Sequence, residues 1–214
     1  MKILSRCLAA GIGLASAWPL AAQFIVIEPD AYPRGTILDQ VVPEVRLTTA
    51  GANNLPIPPT PFSITAAGVP PGYASTGTNL FAHAGVNFFN DTRRLRMDFD
   101  GLVQIIYLDA IGSGYTLSPE RGHLEAYNAQ NVLIASFLTD ILGRGQVQTM
   151  AIERALPDIA WAVAWSEDGT SARFDHLVFS APVPIPEPSV ASLASLAALL
   201  SAAASRVRRG RRGG

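Results

Sequence analysis

The stretch Ile159-Ala160-Trp161-Ala162-Val163-Ala164-Trp165 limits the fold more than any other part of this sequence, because large apolar residues alternate strictly with alanine. A period of two belongs to an extended strand, whereas a helix repeats every 3.6 residues. The large side chains share one face and the alanines the other. Both faces are apolar, so the strand is expected in the middle of a sheet, with another element packed closely on its alanine side.

Similar patterns recur along the chain. Arg94-Leu95-Arg96-Met97-Asp98-Phe99 alternates charged with apolar residues, Asp100-Gly101 follows, and Leu102-Val103-Gln104-Ile105-Ile106-Tyr107-Leu108 comes next. Asp-Gly between two strand patterns predicts a hairpin, because the tight turn needs positive φ at both positions. A second hairpin is predicted from His123–Tyr127 to Val132–Phe137 around Asn128-Ala129-Gln130-Asn131. Further strands are expected at Phe24–Ile27, Val45–Thr49, Phe62–Thr65, Val147–Ile152 and Arg173–Phe179. The region from Ala50 to Asn79 carries Pro56, Pro58, Pro59, Pro61, Pro70 and Pro71, and is expected to form long loops around one edge strand. Short strands separated by turn signals, with no sustained helical periodicity between them, predict an all-β fold: an antiparallel β-sandwich or jelly roll.

The two ends differ from this body. Lys2 and Arg6 precede an apolar run from Leu8 to Leu20 that closes in Ala21-Ala22-Gln23. That order predicts a secretory signal peptide cut after Ala22. At the other end, residues 189–205 hold 17 residues without a charge, at the short limit for spanning a bilayer. Arg206, Arg208, Arg209, Arg211 and Arg212 follow and are expected to stay cytoplasmic. The expected organisation is a signal peptide over 1–22, a sandwich domain over 23–180, a proline-rich spacer over 181–188, a transmembrane helix over 189–205 and a basic tail over 206–214.

Pro186-Glu187-Pro188, the apolar segment and the terminal arginine cluster together resemble the PEP-CTERM sorting signal of Gram-negative bacteria. The resemblance covers about the last thirty residues. It implies an exosortase, a membrane protease-transpeptidase, as a partner that recognises the Pro-Glu-Pro and removes the tail. It also implies an inner-membrane anchor before sorting, an envelope or extracellular location afterwards, and the company of secreted polysaccharide.

Charge narrows the function classes. Seven of the sixteen basic residues lie in the two ends, so residues 23–182 keep nine against sixteen acids, a net charge of −7. Such a body does not suit nucleic acid, which needs a basic surface, but it suits calcium. The single cysteine, Cys7, falls in the expected signal peptide, which excludes disulfides and thiol chemistry from the body.

Within the body, Val103–Ala110, then Gly122-His123-Leu124-Glu125-Ala126-Tyr127-Asn128-Ala129-Gln130-Asn131-Val132-Leu133-Ile134-Ala135, then Ile159-Ala160 and Phe174-Asp175-His176-Leu177-Val178-Phe179 resemble the galactose-binding-like jelly rolls common among exported PEP-CTERM proteins. This implies the fold and leaves the ligand open. Jelly rolls of that kind often tie the N-terminal region to the last strand with a structural calcium. Glu28, Asp30 and Asp175 are the residues here that would hold it, and turn carboxylates are the alternative.

Other chemistry is weakly signalled. The body has three histidines, His83, His123 and His176, and no Gly-x-Ser-x-Gly elbow, so a hydrolase triad lacks support. His123 is expected on a strand surface. Asp98 and Asp100 flank Phe99 and suit either a glycosidase pair or a solvated face with Asp100 in the turn; the turn accounts for Asp100 already. Trp161 and Trp165 lie about 13 Å apart along one face. Exposed they would stack on sugar rings, but a central strand favours core. Tyr32, Tyr73 and Tyr115 sit in loop-like sequence, freer to meet a ligand. The expectation is a non-enzymatic module that contacts exopolysaccharide or the cell surface; the alternatives are an envelope glycan hydrolase and a structural matrix protein.

Overall fold

Eleven strands run through the residues that the computed structural model describes, 23–57, 63–114, 120–167 and 169–185. They are β1 (Phe24–Ile27), β2 (Val45–Ala50), β3 (Ile64–Gly68), β4 (Asn79–His83), β5 (Arg94–Val103), β6 (Ile105–Gly112), β7 (Gly122–Tyr127), β8 (Leu133–Leu138), β9 (Val147–Glu153), β10 (Ile159–Ser166) and β11 (Ala172–Ser180). The expected signal peptide, the Pro186-Glu187-Pro188 motif, the apolar segment 189–205 and Arg206, Arg208, Arg209, Arg211 and Arg212 lie outside the described residues, as do Phe62 and Tyr115.

The strands form a four-stranded sheet in the order β1-β11-β6-β9, a five-stranded sheet in the order β2-β5-β10-β7-β8 and a two-stranded pair β3-β4. Every pairing between named strands is antiparallel. From β5 onward the chain passes repeatedly between the two larger sheets, as in a jelly roll, and this is the all-β sandwich that the strand patterns predict. Leu95, Met97 and Phe99 of β5, Leu124 and Ala126 of β7, and Ala162 and Ala164 of β10 meet Ile106 and Leu108 of β6, Met150 of β9 and Phe174, Leu177 and Phe179 of β11 in one core. Phe99 and Phe179, on strands of different sheets, pack with ring centroids 5.1 Å apart.

The central strand is β10, paired on one side with β5 and on the other with β7. Its alanines face the inter-sheet core, where the opposite sheet comes close. The alternation does not hold along the whole strand. A register shift between Ile159 and Trp161 sends Ile159 into the core although it has the parity of the tryptophans.

The expected hairpin at Asp100-Gly101 does not form. Both residues lie inside β5, which continues to Val103, and β6 then starts in the other sheet. The glycine is required for a different reason. Gly101 has φ +124°, and a Cβ there would sit 2.6 Å from the carbonyl oxygen of Val183. Leu102 and Val183 exchange backbone hydrogen bonds of 2.9 Å, so the positive φ lets β5 turn out of its sheet beneath the incoming C-terminal segment. The hairpin at Asn128–Asn131 forms as expected between β7 and β8: Asn128 Oδ1 accepts from the amides of Gln130 and Val132, and Asn131 takes a positive φ of 60°. The region 50–79 contains β3 as expected. β4 was not anticipated, because all five of its residues are buried and it shows no alternation.

Candidate functional site

The outward side chains of β5, β10 and β7 form cross-strand rows. Trp161 stands between Asp98 and Tyr127, Val163 between Arg96 and Glu125, and Trp165 beside His123. Tyr127 stacks on Trp161 with centroids 3.9 Å and planes 2° apart, and the Arg96 guanidinium lies 4.0 Å from the same indole. Since β5 and β7 flank β10 on opposite sides, both faces of the ring are covered. Trp165 is clasped likewise, by His123 at 4.2 Å and Arg94 at 3.9 Å. The tryptophans are therefore buried, at 8% and 6% exposure, but outside the inter-sheet core. They are buried, as a central strand favours, in a small cluster of their own with Val163, and are not a bare sugar platform.

Polar contacts lock the rows. Arg96 grips the carboxylate of Asp98, with Nε at 2.9 Å and a terminal nitrogen at 2.6 Å from Oδ1, and donates to the Asn54 carbonyl at 2.7 Å. Asp98 is thus an ion-pair partner and is not free for acid–base work. Arg94 donates to Asn54 Oδ1 at 2.7 Å, and Asn54 Nδ2 donates to the Tyr127 hydroxyl at 3.1 Å. That hydroxyl donates to Glu125. Burial, then the hydrogen bond to Glu125, pushes the Tyr127 phenol up to about 12. Burial also holds the Arg94 guanidinium below its ordinary value. His123 lies on the outer face as expected, covered by Trp165, with Nδ1 2.6 Å from a Glu167 carboxylate oxygen.

Above these rows lies a groove of about 410 Å³, walled by Asn53 and Asn54 on one side and by Arg96, Tyr127, Asn131 and Trp161 on the other. Asn131 Oδ1 accepts from the Trp161 indole nitrogen at 3.0 Å, and Asn54 and Asn131 both hold left-handed backbone. The hairpin turn and the loop after β2 thus aim amides into the groove from two directions. The strict Arg94-Leu95-Arg96-Met97 alternation already places the arginines on the outward face; nothing local in the sequence brings Asn54 to them.

The structure brings Glu28, Asp30 and Asp175 together, with one carboxylate oxygen from each within 4.8 Å of the others. Glu28 and Asp30 bracket the start of a short 3-10 turn after β1. Asp175 sits at an irregularity in the pairing of β11 with β6, where His176 takes φ +47°. Asp175 is fully buried; Oδ2 accepts from the Ser75 amide and hydroxyl at 3.0 Å and from the Thr76 amide at 3.2 Å. Burial pushes its carboxyl up to about 6, opposed by the Thr76 hydrogen bond, and the neighbouring Glu28 adds to the rise. Glu28 accepts from Thr76 Oγ1 at 2.7 Å and meets His176 Nδ1 at 2.8 Å. Asp30 Oδ1 accepts from the amides of Thr78 and Asn79, but Oδ2 is shut off from solvent and has no hydrogen-bond partner. A buried carboxylate oxygen without a partner, beside two more carboxylates, fits a hard cation such as calcium.

A third site lies at one end of the sandwich. Pro70 and Tyr73 from the loop between β3 and β4, Ser113 and Gly114 after β6, Arg144 before β9 and Arg173 of β11 line a cavity of about 300 Å³. The loops interlock. Gly145, with φ +71°, packs its α-carbon against the Gly72 carbonyl, and its amide donates to Gly112 O at 2.9 Å. Glu120 binds the Ser113 hydroxyl at 2.7 Å and the Gly114 amide at 3.1 Å. Of the loop tyrosines, Tyr73 lies at this cavity and Tyr32 packs against the core. His83 is buried against Phe89 with burial lowering its pKa, and lies in neither pocket.

No protein family matches this sequence, and no curated protein is a detectable relative. Among solved structures, TmCBM61 in complex with β-1,4-galactotriose is similar over 64% of this chain and 88% of that one, at 8% identity and a TM-score of 0.38. The Clostridium thermocellum N-terminal endo-1,4-β-D-xylanase 10B, as CBM22-1-GH10 modules complexed with xylohexaose, is similar over 67% of this chain and 27% of that one, at 10% identity and a TM-score of 0.40. Likeness at this level carries no argument about ligand or site.

Proposed function

We propose that this chain is an exported, non-catalytic module that contacts extracellular polysaccharide through the groove above β10. The observation that carries this reading is the pair of amides, Asn54 and Asn131, converging with Arg96 and the Tyr127 hydroxyl on one open groove. The amides and the guanidinium keep N–H donors beyond those engaged with one another, and these can donate to sugar hydroxyls in a groove large enough for a sugar ring. The Asp98 carboxylate is neutralised by Arg96, which favours binding over glycan hydrolysis. Asn→Gly removes each amide while keeping a residue suited to left-handed backbone. Affinity electrophoresis of the full chain in mild detergent, through gels containing extracellular polysaccharide, should show retardation that Asn54→Gly and Asn131→Gly reduce. No reducing ends should be released. Release of reducing ends, or retardation unchanged in both variants, would sink the reading.

Export and sorting rest on the sequence of the two ends. The signal peptide ends at Ala22, and Pro186-Glu187-Pro188 is the motif an exosortase-like protease reads before residues 189–214 are removed. Proline restricts a backbone to the extended forms that a protease groove accepts, and Glu187 adds a charge to recognise. Glu187→Ala should leave uncleaved protein in the inner membrane, and normal processing of that variant would count against the motif.

A structural calcium at Glu28, Asp30 and Asp175 belongs to the same reading, favoured by the orphaned Asp30 Oδ2. The ion would supply counter-charge to three carboxylates and tie the segment after β1 to β11. Calcium should raise the melting temperature and a chelator lower it, and Asp30→Asn should abolish the difference.

A further inference from the structure

We propose that the cavity between Tyr73, Arg144 and Arg173 is a second binding site, which takes the carboxylate of a uronate sugar. Two guanidinium groups converge on one aromatic ring there: Arg144 lies 4.8 Å and Arg173 4.7 Å from the Tyr73 centroid. Arg173 is 2% exposed and forms the floor, fixed by a 3.2 Å hydrogen bond to the Ser113 carbonyl. Arg144 is exposed and forms the rim; among the described residues no carboxylate reaches it within ion-pair distance. Only nine cations serve residues 23–182 against sixteen acids, and two of them stand at this one cavity, with the Glu120 carboxylate behind its Ser113–Gly114 wall.

A guanidinium presents a planar fork that matches a carboxylate with two parallel hydrogen bonds. The floor arginine is buried and held by Ser113, while the rim arginine is exposed with its guanidinium over Tyr73, so an entering carboxylate meets donors from both. The volume of about 300 Å³ is at the small end for organic ligands and suits one sugar ring. Ser113 and Gly114 line the same wall with their amides held by Glu120, and Pro70 adds an apolar edge on which the C–H face of a ring can lie. The site is separate from the groove above β10 and does not depend on it.

The test is calorimetric titration of the full chain in mild detergent with sodium galacturonate and sodium glucuronate, against galactose, glucose and sodium sulfate. At least one uronate should bind about tenfold or more tighter than its neutral counterpart, and the affinity should fall as salt rises. Arg144→Ala should weaken uronate binding about tenfold without lowering the melting temperature, and Arg144→Lys should restore part of it. Asn131→Gly, which disables the groove, should leave uronate binding intact. Equal affinity for uronate and neutral sugar, sulfate binding as tight as uronate, no uronate binding, or unchanged binding in Arg144→Ala would each overturn the proposal.

Discussion

Asp175 shows how one residue's surroundings set a property of the whole protein. Its carboxyl is pushed up to about 6 from an unfolded value of 3.8, chiefly by burial. The folded state therefore holds a proton that the unfolded state releases between those two values. Stability contributed by the protonated group is complete below about pH 4 and is lost as pH rises through about 6, a change of about 3 kcal/mol. His83 works in the opposite sense, since burial lowers its pKa and acid must charge it against that burial. A comparison with Asp175→Asn cancels the His83 contribution. Relative to that variant, the wild-type melting temperature in chelator should climb on going from about pH 7 to about pH 4, and parallel curves would refute it. Calcium should flatten the climb, because a cation favours the ionised carboxylate. Glu28, Asp30 and Asp175 could be named from sequence only through resemblance to jelly rolls. What the sequence does carry is the spacing of Phe174 and Leu177, both in the core three residues apart, which requires an irregularity between them.

At the scale of elements, β10 shows both what alternation reveals and what it leaves out. The period of two identifies a central strand, because only an extended chain sorts tryptophan and alanine onto opposite faces. It cannot say which face meets the core. The alanines do, since the sheets approach closely there, and the tryptophans turn outward under a cover of arginines, tyrosine and histidine. That cover comes from β5 and β7, so it depends on pairing that no single segment encodes. Arg96→Ala should uncover one face of Trp161 and unpair Asp98, shifting tryptophan emission to the red and lowering stability by about 1–3 kcal/mol in urea unfolding. Unchanged emission would mean that the guanidinium does not shield the ring. The Asp100-Gly101 pair misleads for a related reason. Positive φ at Gly101 is real, but a turn signal cannot distinguish a hairpin from a strand that changes sheets, and here the decisive partner is Val183, far away in sequence.

In the whole molecule, the N-terminal and C-terminal parts of the body are held side by side. β1 pairs with β11, Ala181 donates to the Gln23 carbonyl at 2.7 Å, and Val183 bridges to Leu102 where β5 leaves its sheet. Glu28 adds a second tie to β11 at the other end of β1, through its 2.8 Å contact with His176 Nδ1. Antiparallel strands, the turn at Asn128–Asn131 and a negatively charged body were all legible locally. The closure of the sandwich was not, because it joins segments separated by most of the chain. Gly101 is the point where that closure is most exposed to substitution. A Cβ there meets the Val183 carbonyl and must also accept φ +124°, which an L side chain rarely adopts. Gly101→Ala should therefore break the Leu102–Val183 pairing and destabilise the protein by about 1–3 kcal/mol. In hydrogen exchange the amides of Leu102 and Val183 should lose protection first, while those of β7 and β8, paired far from this junction, should keep it. Loss of protection spread evenly over both sheets would show that the C-terminal segment is not the place where this sandwich opens.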